Sequence, residues 1–456
     1  VGTLISGRFS NAKSGSNGFD LPLALFRPIF CGMSVIGTGC TDRTLSTSEV
    51  AEICTRAAEA WDLTGKRVLV LIPDHTRSCP LGLLFRVLYA EAAHRAARLD
   101  FLVALGTHPP LTDEQILRRV ELTGEEHVRL FSKARFFNHA WKDPKSLIEV
   151  GRLSREEIRE ITGGLFEMEV PVVCNRMIRD YDLLVLLGPV FPHEVVGFSG
   201  GNKYIFPGIA GEEILNFFHW LGAVITSPVI IGNKWTPVRR VVDRAAAMLP
   251  VERRALCMVV KDDGLSGLYA GAPEEAWSEA ADLSRQIHIR YKPHPFHTVL
   301  SCAPAMYDDL WVGAKCMYKL ELVVADGGRL IIYAPHIREV SATHGHIIRE
   351  IGYHTRDYFL KQWEHFRKYP WGVLAHSTHL RGIGTFENGF ERPRIDVVLA
   401  TAIPEEECRR INLGWMDYRC INPAEFQGRE AAGVLYVPKA GEILYRLEKA
   451  PPELGG

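Results

Sequence analysis

The sequence predicts an α/β protein: two α/β domains with mainly parallel sheets and an active-site cleft between them. Two observations predict it. Short apolar, β-rich runs alternate with helical stretches, the pattern of parallel strands joined by crossover helices. The chain has 456 residues, 47% of them hydrophobic, which is material for about two or three cores.

RVLVLIP (67–73) and DFLVALG (100–106) are unbroken apolar runs, as expected of strands buried on both faces, and LGLLFRVLYAEAAHRAAR between them has helical periodicity. DLLVLLG (182–188) is a third such strand. All three deliver polar residues at their carboxyl ends: Asp74-His75-Thr76-Arg77, Thr107-His108 and His193. In open α/β sheets ligands bind at that edge. A second unit begins after the proline-punctuated YKPHPFH (291–297), with a strand TVLSC (298–302), a helix over DDLWVGAKCMYKL (308–320) and strands RLIIYAP (329–335) and RIDVVLAT (394–401). The expected division is an irregular, Gly- and Ser-rich arm over 1–45, a cofactor-binding domain over 46–292 and a substrate-closing domain over 293–425. A strand and helix over 426–456 return to one of the two.

The formal net charge of −1 removes any global electrostatic case for nucleic acid or anionic membrane. No apolar run is long enough to span a bilayer and no signal segment opens the chain, so a cytoplasmic location is expected. The ten cysteines form no CxxC pair, which argues against a zinc ribbon or disulfide framework; Cys79, Cys174 and Cys302 are read as packing residues.

The chemistry concentrates in FPHEVVGFSGGNKYIFPGI (191–209). Gly197, Gly200 and Gly201 let the backbone turn and, with Ser199, present N–H groups to an anion, while Lys203 adds a point charge. An ordinary P-loop is disfavoured, because Asn202 precedes the lysine and Tyr204 follows it. The bland alternative is a tight glycine turn with a solvated lysine.

Asp74-x-x-Arg77, Gly106-Thr107-His108, PHxxxGFSGGxK from Pro192 to Lys203, and His219, taken in order, resemble the lactate racemase family that uses a nickel-pincer nucleotide. The resemblance runs from about 67 to 330 and loosens beyond. It implies that Lys203 tethers a pyridinium-derived cofactor through a thioamide and that His219 completes a square-planar nickel site whose other donors belong to the cofactor. It implies paired acid/base roles for His108 and His193, support from Asp74 and Arg77, and a substrate-contacting Lys315. Other enzymes would have to supply the nucleotide, so protein made without them would be empty; a homodimer is allowed.

The residue types suit that chemistry. The Cα–H of a 2-hydroxy acid is too weakly acidic beside an ionised carboxylate for a side-chain base, and hydride transfer to a pyridinium-type carbon avoids the carbanion. One histidine per enantiomer takes the hydroxyl proton, and a neutral imidazole suits square-planar Ni(II). Each assignment also has a plainer reading. His108 could cap a strand end, Asp74 and Arg77 could form a surface ion pair or a helix N-cap before Pro80, His219 could be a satisfied core histidine, and Lys315 could point into solvent.

One departure bears on substrate. Where the family has Tyr-Gln ahead of the substrate lysine, this chain has Trp311-Val312, which puts specificity for lactate in doubt. The second unit is also rich in histidine: His336, His344, His346, His376 and His379. Without a carboxylate motif these read as a polar patch suited to a larger, hydroxylated substrate such as an aldonate. Two rival readings stand beside the racemase or 2-epimerase: a zinc hydrolase using those histidines, and an idle nucleotide-binding protein, which would need no pair of bases.

Overall fold

The computed structural model describes residues 34–449. Its first sheet has seven strands: β1 Ile36–Gly39, β2 Arg67–Ile72, β3 Arg98–Val103, β4 Ala134–Asn138, β5 Leu183–Pro189, β6 Glu252–Lys261 and β7 Gly264–Gly271. Their spatial order is β1-β7-β6-β5-β2-β3-β4, parallel from β6 to β4 and antiparallel where β7 meets β6 and β1. In register, Val70 lies opposite Phe101 on one side and Val185 on the other. Alternate residues feed two cores: Val68, Val70, Ile72, Phe101 and Val185 pack on one face, Leu69, Leu71, Leu102, Leu184 and Leu186 on the other. That is why these runs are apolar without alternation. Each fully buried side chain of this kind is worth about 1.5–3 kcal/mol.

The second sheet has five strands: β8 Phe296–Cys302, β9 Val324–Ala334, β10 Asp396–Thr401, β11 Gly414–Trp415 and β12 Val434–Val437. It is parallel throughout, in the order β11-β10-β9-β8-β12. One face, with Val299, Leu330, Ile332 and Leu399, joins the core that also holds Leu69 and Leu71. The mainly parallel α/β architecture expected from the sequence is therefore present.

Several local expectations need correction. Residues 34–45 are not wholly irregular: β1 closes an edge of the first sheet by pairing with β7, its two glycines allowing close approach. The rest of that arm, 1–33, lies outside the described residues. The helix expected over 81–98 stops at Ala92, because the chain must turn to bring Arg98 into register with Arg67. The helix expected over 308–320 is two short ones, Leu310–Gly313 and Lys315–Tyr318, interrupted beside Gly313, a poor helix former. The C-terminal strand and helix are instead two strands as far as residue 449: β12, and Leu444–Leu447, whose backbone is committed to parallel pairing with Ile289–Lys292. Among the described residues no helix is long and apolar enough to cross a membrane.

Topology locates the site. From β2 the chain first extends the sheet through β3 and β4, then crosses back to place β5 on the other side of β2. The carboxyl ends of β2 and β5 thus flank a switch point, where side chains can enter a crevice that no crossover covers.

Candidate active site

A cavity of about 400 Å³ opens there between the two sheets. Asp74 and Arg77 line it after β2, His108 after β3, and His193, Ser199, Gly200 and Lys203 after β5. His219 lines it from the helix Glu212–Ile225, and Trp311, Lys315, His344, His346, His376 and His379 from the second half of the chain. Of the glycines singled out in the sequence as the cradle, Gly200 lines the cavity and Gly197 and Gly201 do not. A Cβ at Gly201 would lie 3.0 Å from the Cβ of Trp277, so it serves packing rather than ligand approach. His336 also stands apart, its Nε2 3.0 Å from the carbonyl of Tyr307.

Asp74 is neither a surface partner nor a helix cap. It is 5% exposed, accepts hydrogen bonds from the Thr76 N–H and hydroxyl at 3.1 and 2.8 Å, and meets His108 Nδ1 at 2.5 Å. Burial opposes its charge, but His108 and Arg77 hold the carboxyl well below the usual carboxylate range. Such a carboxylate fixes the proton of His108 on Nδ1 and leaves Nε2 without a hydrogen. Arg119 braces the loop, donating to the carbonyls of Asp74 and Arg77 at 2.9 Å each.

The 197–204 turn depends on glycine at two places. Gly197 (φ 79°) abuts the Asn233 carbonyl, where a Cβ would sit at 1.8 Å, and Gly200 (φ 85°) crowds Val190. Ser199 spends its hydroxyl on the turn itself, donating to the Pro189 carbonyl at 3.0 Å and accepting from the Phe191 N–H at 2.9 Å. Arg239, 1% exposed and stacked 3.9 Å over Trp277, donates to the carbonyls of Phe198 and Gly200 from behind. The turn is therefore held rigid from below while Lys203 points into the cavity.

His219 follows from helix geometry. Glu212, Leu215, Asn216 and His219 recur at helical spacing and line the cavity, while Phe217, Phe218, Trp220 and Leu221 face the core. His219 Nδ1 donates to the carbonyl of Leu215 one turn back at 2.7 Å, which leaves Nε2 as a bare nitrogen donor. Burial pushes its pKa down to about 4, so the ring is neutral.

Cations crowd the floor. Burial and the nearby Arg77 lower the Lys203 amine to about 7, and the same two causes take Lys315 well below the ordinary lysine value. Lys315 reaches from the second half to donate to the Thr76 carbonyl at 3.3 Å and lies 4.7 Å over the Tyr307 ring. It does not project into solvent. Burial and then Lys203 and Arg77 depress His193 well below the ordinary histidine value. Arg77 keeps its charge against burial because Asp74 and, more weakly, Glu194 offset it.

The far wall is different. The His376 ring stacks on Trp311 at 3.7 Å and donates from Nε2 to its carbonyl at 3.0 Å, while Nδ1 is buried without a partner. His379, 5% exposed, has Nε2 buried and unpartnered. Burial pushes both pKa values down to about 3. Among the described residues no three His, Cys, Asp or Glu side chains come together as metal ligands, which weighs against the zinc-hydrolase reading.

Sequence reasoning missed Glu194 and Lys319. The first is adjacent to His193, and the second lies one helical turn beyond Lys315, so spacing alone could have raised both.

Fold and cavity together define an α/β protein with a cationic, histidine-rich cleft at a strand-order switch. The lactate racemase N-terminal domain family matches residues 51–229. The lactate racemase of Lactiplantibacillus plantarum is 27% identical over 262 residues, 56% of this chain and 54% of that protein. That of Thermoanaerobacterium thermosaccharolyticum is 25% identical over 278 residues, 59% of this chain and 60% of that protein. The matched stretch thus spans little more than half the length of either relative. A crystal structure of a Thermotoga maritima protein superposes with a TM-score of 0.82 at 32% identity, covering 90% of this chain and 100% of its own. The lactate racemase apoprotein from T. thermosaccharolyticum superposes at 0.66 with 19% identity, over 87% and 93% of the two chains, and so shares the fold. The chain belongs to the lactate-racemase-like family.

Proposed function

We propose that the protein inverts the C2 centre of a 2-hydroxy acid, as a racemase or 2-epimerase working with a nickel-pincer nucleotide. The observation that carries this reading is the convergence of His108, His193, Lys203 and His219 on one cavity, from the segments that follow β3 and β5 and from the helix Glu212–Ile225. The residues fit the group. The lowered Lys203 amine is available for thioamide attachment, and the bare Nε2 of His219 for a soft metal. A cofactor that brings its own donors needs only that one protein ligand. When bound, the group supplies a hydride acceptor beside C2.

The remaining work falls to the chain. Arg77 and Lys315 attract and orient the substrate carboxylate. His108, its Nδ1–H held by Asp74, takes the hydroxyl proton at Nε2 and returns it, and His193 does the same for the other enantiomer, the substrate passing through its 2-keto acid. Water is excluded by closure of residues 293–425 over a cofactor-binding unit spanning 46–292.

The substrate class we infer is an aldonate or similar polyhydroxylated acid. Val312, after Trp311, stands where the family carries a hydrogen-bonding amide, and His376 and His379, each with a buried ring nitrogen that has no partner, line the cavity. A buried donor or acceptor without a partner costs about 1–3 kcal/mol, which a substrate hydroxyl would recover. The test is epimer formation by nickel-loaded protein, made together with the cofactor-producing enzymes, over a panel of short 2-hydroxy acids and sugar acids. Turnover of aldonates above lactate is the expected result, and inactivity across the panel overturns the reading.

A further inference from the structure

Two groups compete for one nitrogen of His193. The backbone N–H of Val195 donates to its Nδ1 at 3.2 Å, and Oε2 of Glu194 lies 3.2 Å from the same nitrogen as an ion-pair neighbour, outside hydrogen-bond geometry. They demand opposite tautomers. Bonded to the Val195 N–H, Nδ1 must be bare and the hydrogen sits on Nε2, so the ring is only a donor toward the cavity. Bonded to Glu194, Nδ1 carries the hydrogen and Nε2 is free to accept a proton.

We propose that Glu194 is the positioning residue that makes His193 a base, the counterpart of Asp74 behind His108. This rests on the racemase or epimerase reading. In the step concerned, the substrate O–H bond breaks and its proton forms the Nε2–H bond of His193. The imidazolium so formed keeps its Nδ1–H directed at the Glu194 carboxylate. The setting requires a carboxylate there. Arg77, Lys203 and Lys319 act on His193 from three different segments, together with His219 from the helix Glu212–Ile225, and all disfavour its protonation. Lys319 also donates to the carbonyl of Pro192, the residue before His193. Glu194, with its side chain 16% exposed, is the anion in contact with the ring.

The inference is tested on two readouts. In apoprotein with ¹⁵N-labelled histidine rings, the His193 signals, identified by their loss in His193→Gln, should show Nδ1–H population in the wild type. Glu194→Ala should move it to the Nε2–H form. In cofactor-loaded enzyme, Glu194→Ala should lower kcat about 10²-fold with little change in KM, and Glu194→Gln, which keeps an acceptor but not the charge, about 10-fold. An unchanged tautomer in Glu194→Ala, or unchanged kcat while the wild type turns over, overturns the inference. Wild-type inactivity over the whole acid panel would instead overturn the underlying reading, while the tautomer measurement still decides the role of Glu194.

Discussion

The two walls of the cavity hold their polar groups in opposite ways. On the wall built by the first sheet and the helix Glu212–Ile225, His108 is fixed by Asp74, His219 by the carbonyl of Leu215, and Ser199 by Pro189 and Phe191. On the wall built by the helix Trp371–Arg381, His376 and His379 each leave a buried ring nitrogen without a partner. One wall has its polar groups already partnered; the other leaves two buried ring nitrogens unmet. Chemistry needs the first arrangement, because a catalytic proton must start from a defined atom. Selectivity is served by the second, because a site with unmet polar groups rejects a ligand that cannot satisfy them.

The largest expected effect lies on the fixed wall. His219→Ala should remove nickel from the loaded protein and lower turnover by more than about 10³-fold with the circular dichroism spectrum intact. Metal analysis checks it, and full nickel retention would show that the bare Nε2 has another purpose. Next, Asp74→Asn should cut kcat by about 10²–10⁴-fold, since an amide can donate to Nδ1 and so reverse the tautomer. A loss below tenfold in steady-state kinetics would mean that the 2.5 Å contact is not what fixes His108.

On the unmet wall the effects should be smaller and of mixed sign. His379→Phe removes a buried nitrogen that has no partner, so stability against urea should rise by about 1 kcal/mol. The same change should lower kcat/KM for an aldonate relative to lactate by about 10–200-fold. A rise in stability with unchanged preference would reduce His379 to packing. The mildest test leaves the sequence alone. Because Lys203 sits at about 7, its amine is mostly neutral at pH 8, whereas an ordinary lysine, near 10.4, is mostly charged. In apoprotein an amine-directed reagent should label Lys203 ahead of surface lysines, with reactivity climbing through pH 7; mass spectrometry of the peptide reads the outcome.

The same contrast explains what could be read in advance. The fixed wall uses groups placed at strand ends, and strands buried on both faces are conspicuous as RVLVLIP and DLLVLLG, so Asp74, His108 and His193 were legible beside them. His219 was legible only through its place in an ordered set of motifs, since an imidazole between Phe218 and Trp220 looks like core. Gly201 misled because flexibility in a sequence does not say which way a turn faces. The histidines of the far wall were visible as a cluster, yet His336 lies outside the cavity and His379 inside it, a distinction that depends on how one helix is rotated against another.

Strand and helix identity follows from local periodicity, because a backbone segment buries whatever apolar face its own spacing creates; the sequence therefore determined the α/β class, the run of parallel strands and the polar residues at their ends. Whether a lysine from residue 315 reaches the carbonyl of Thr76, and whether Lys319 reaches the carbonyl of Pro192, are set by contacts between segments far apart in the chain. Those contacts exist only once the two sheets pack together, and desolvation in that packed space is what lowers Lys203, Lys315 and Lys319 and keeps His219, His376 and His379 neutral.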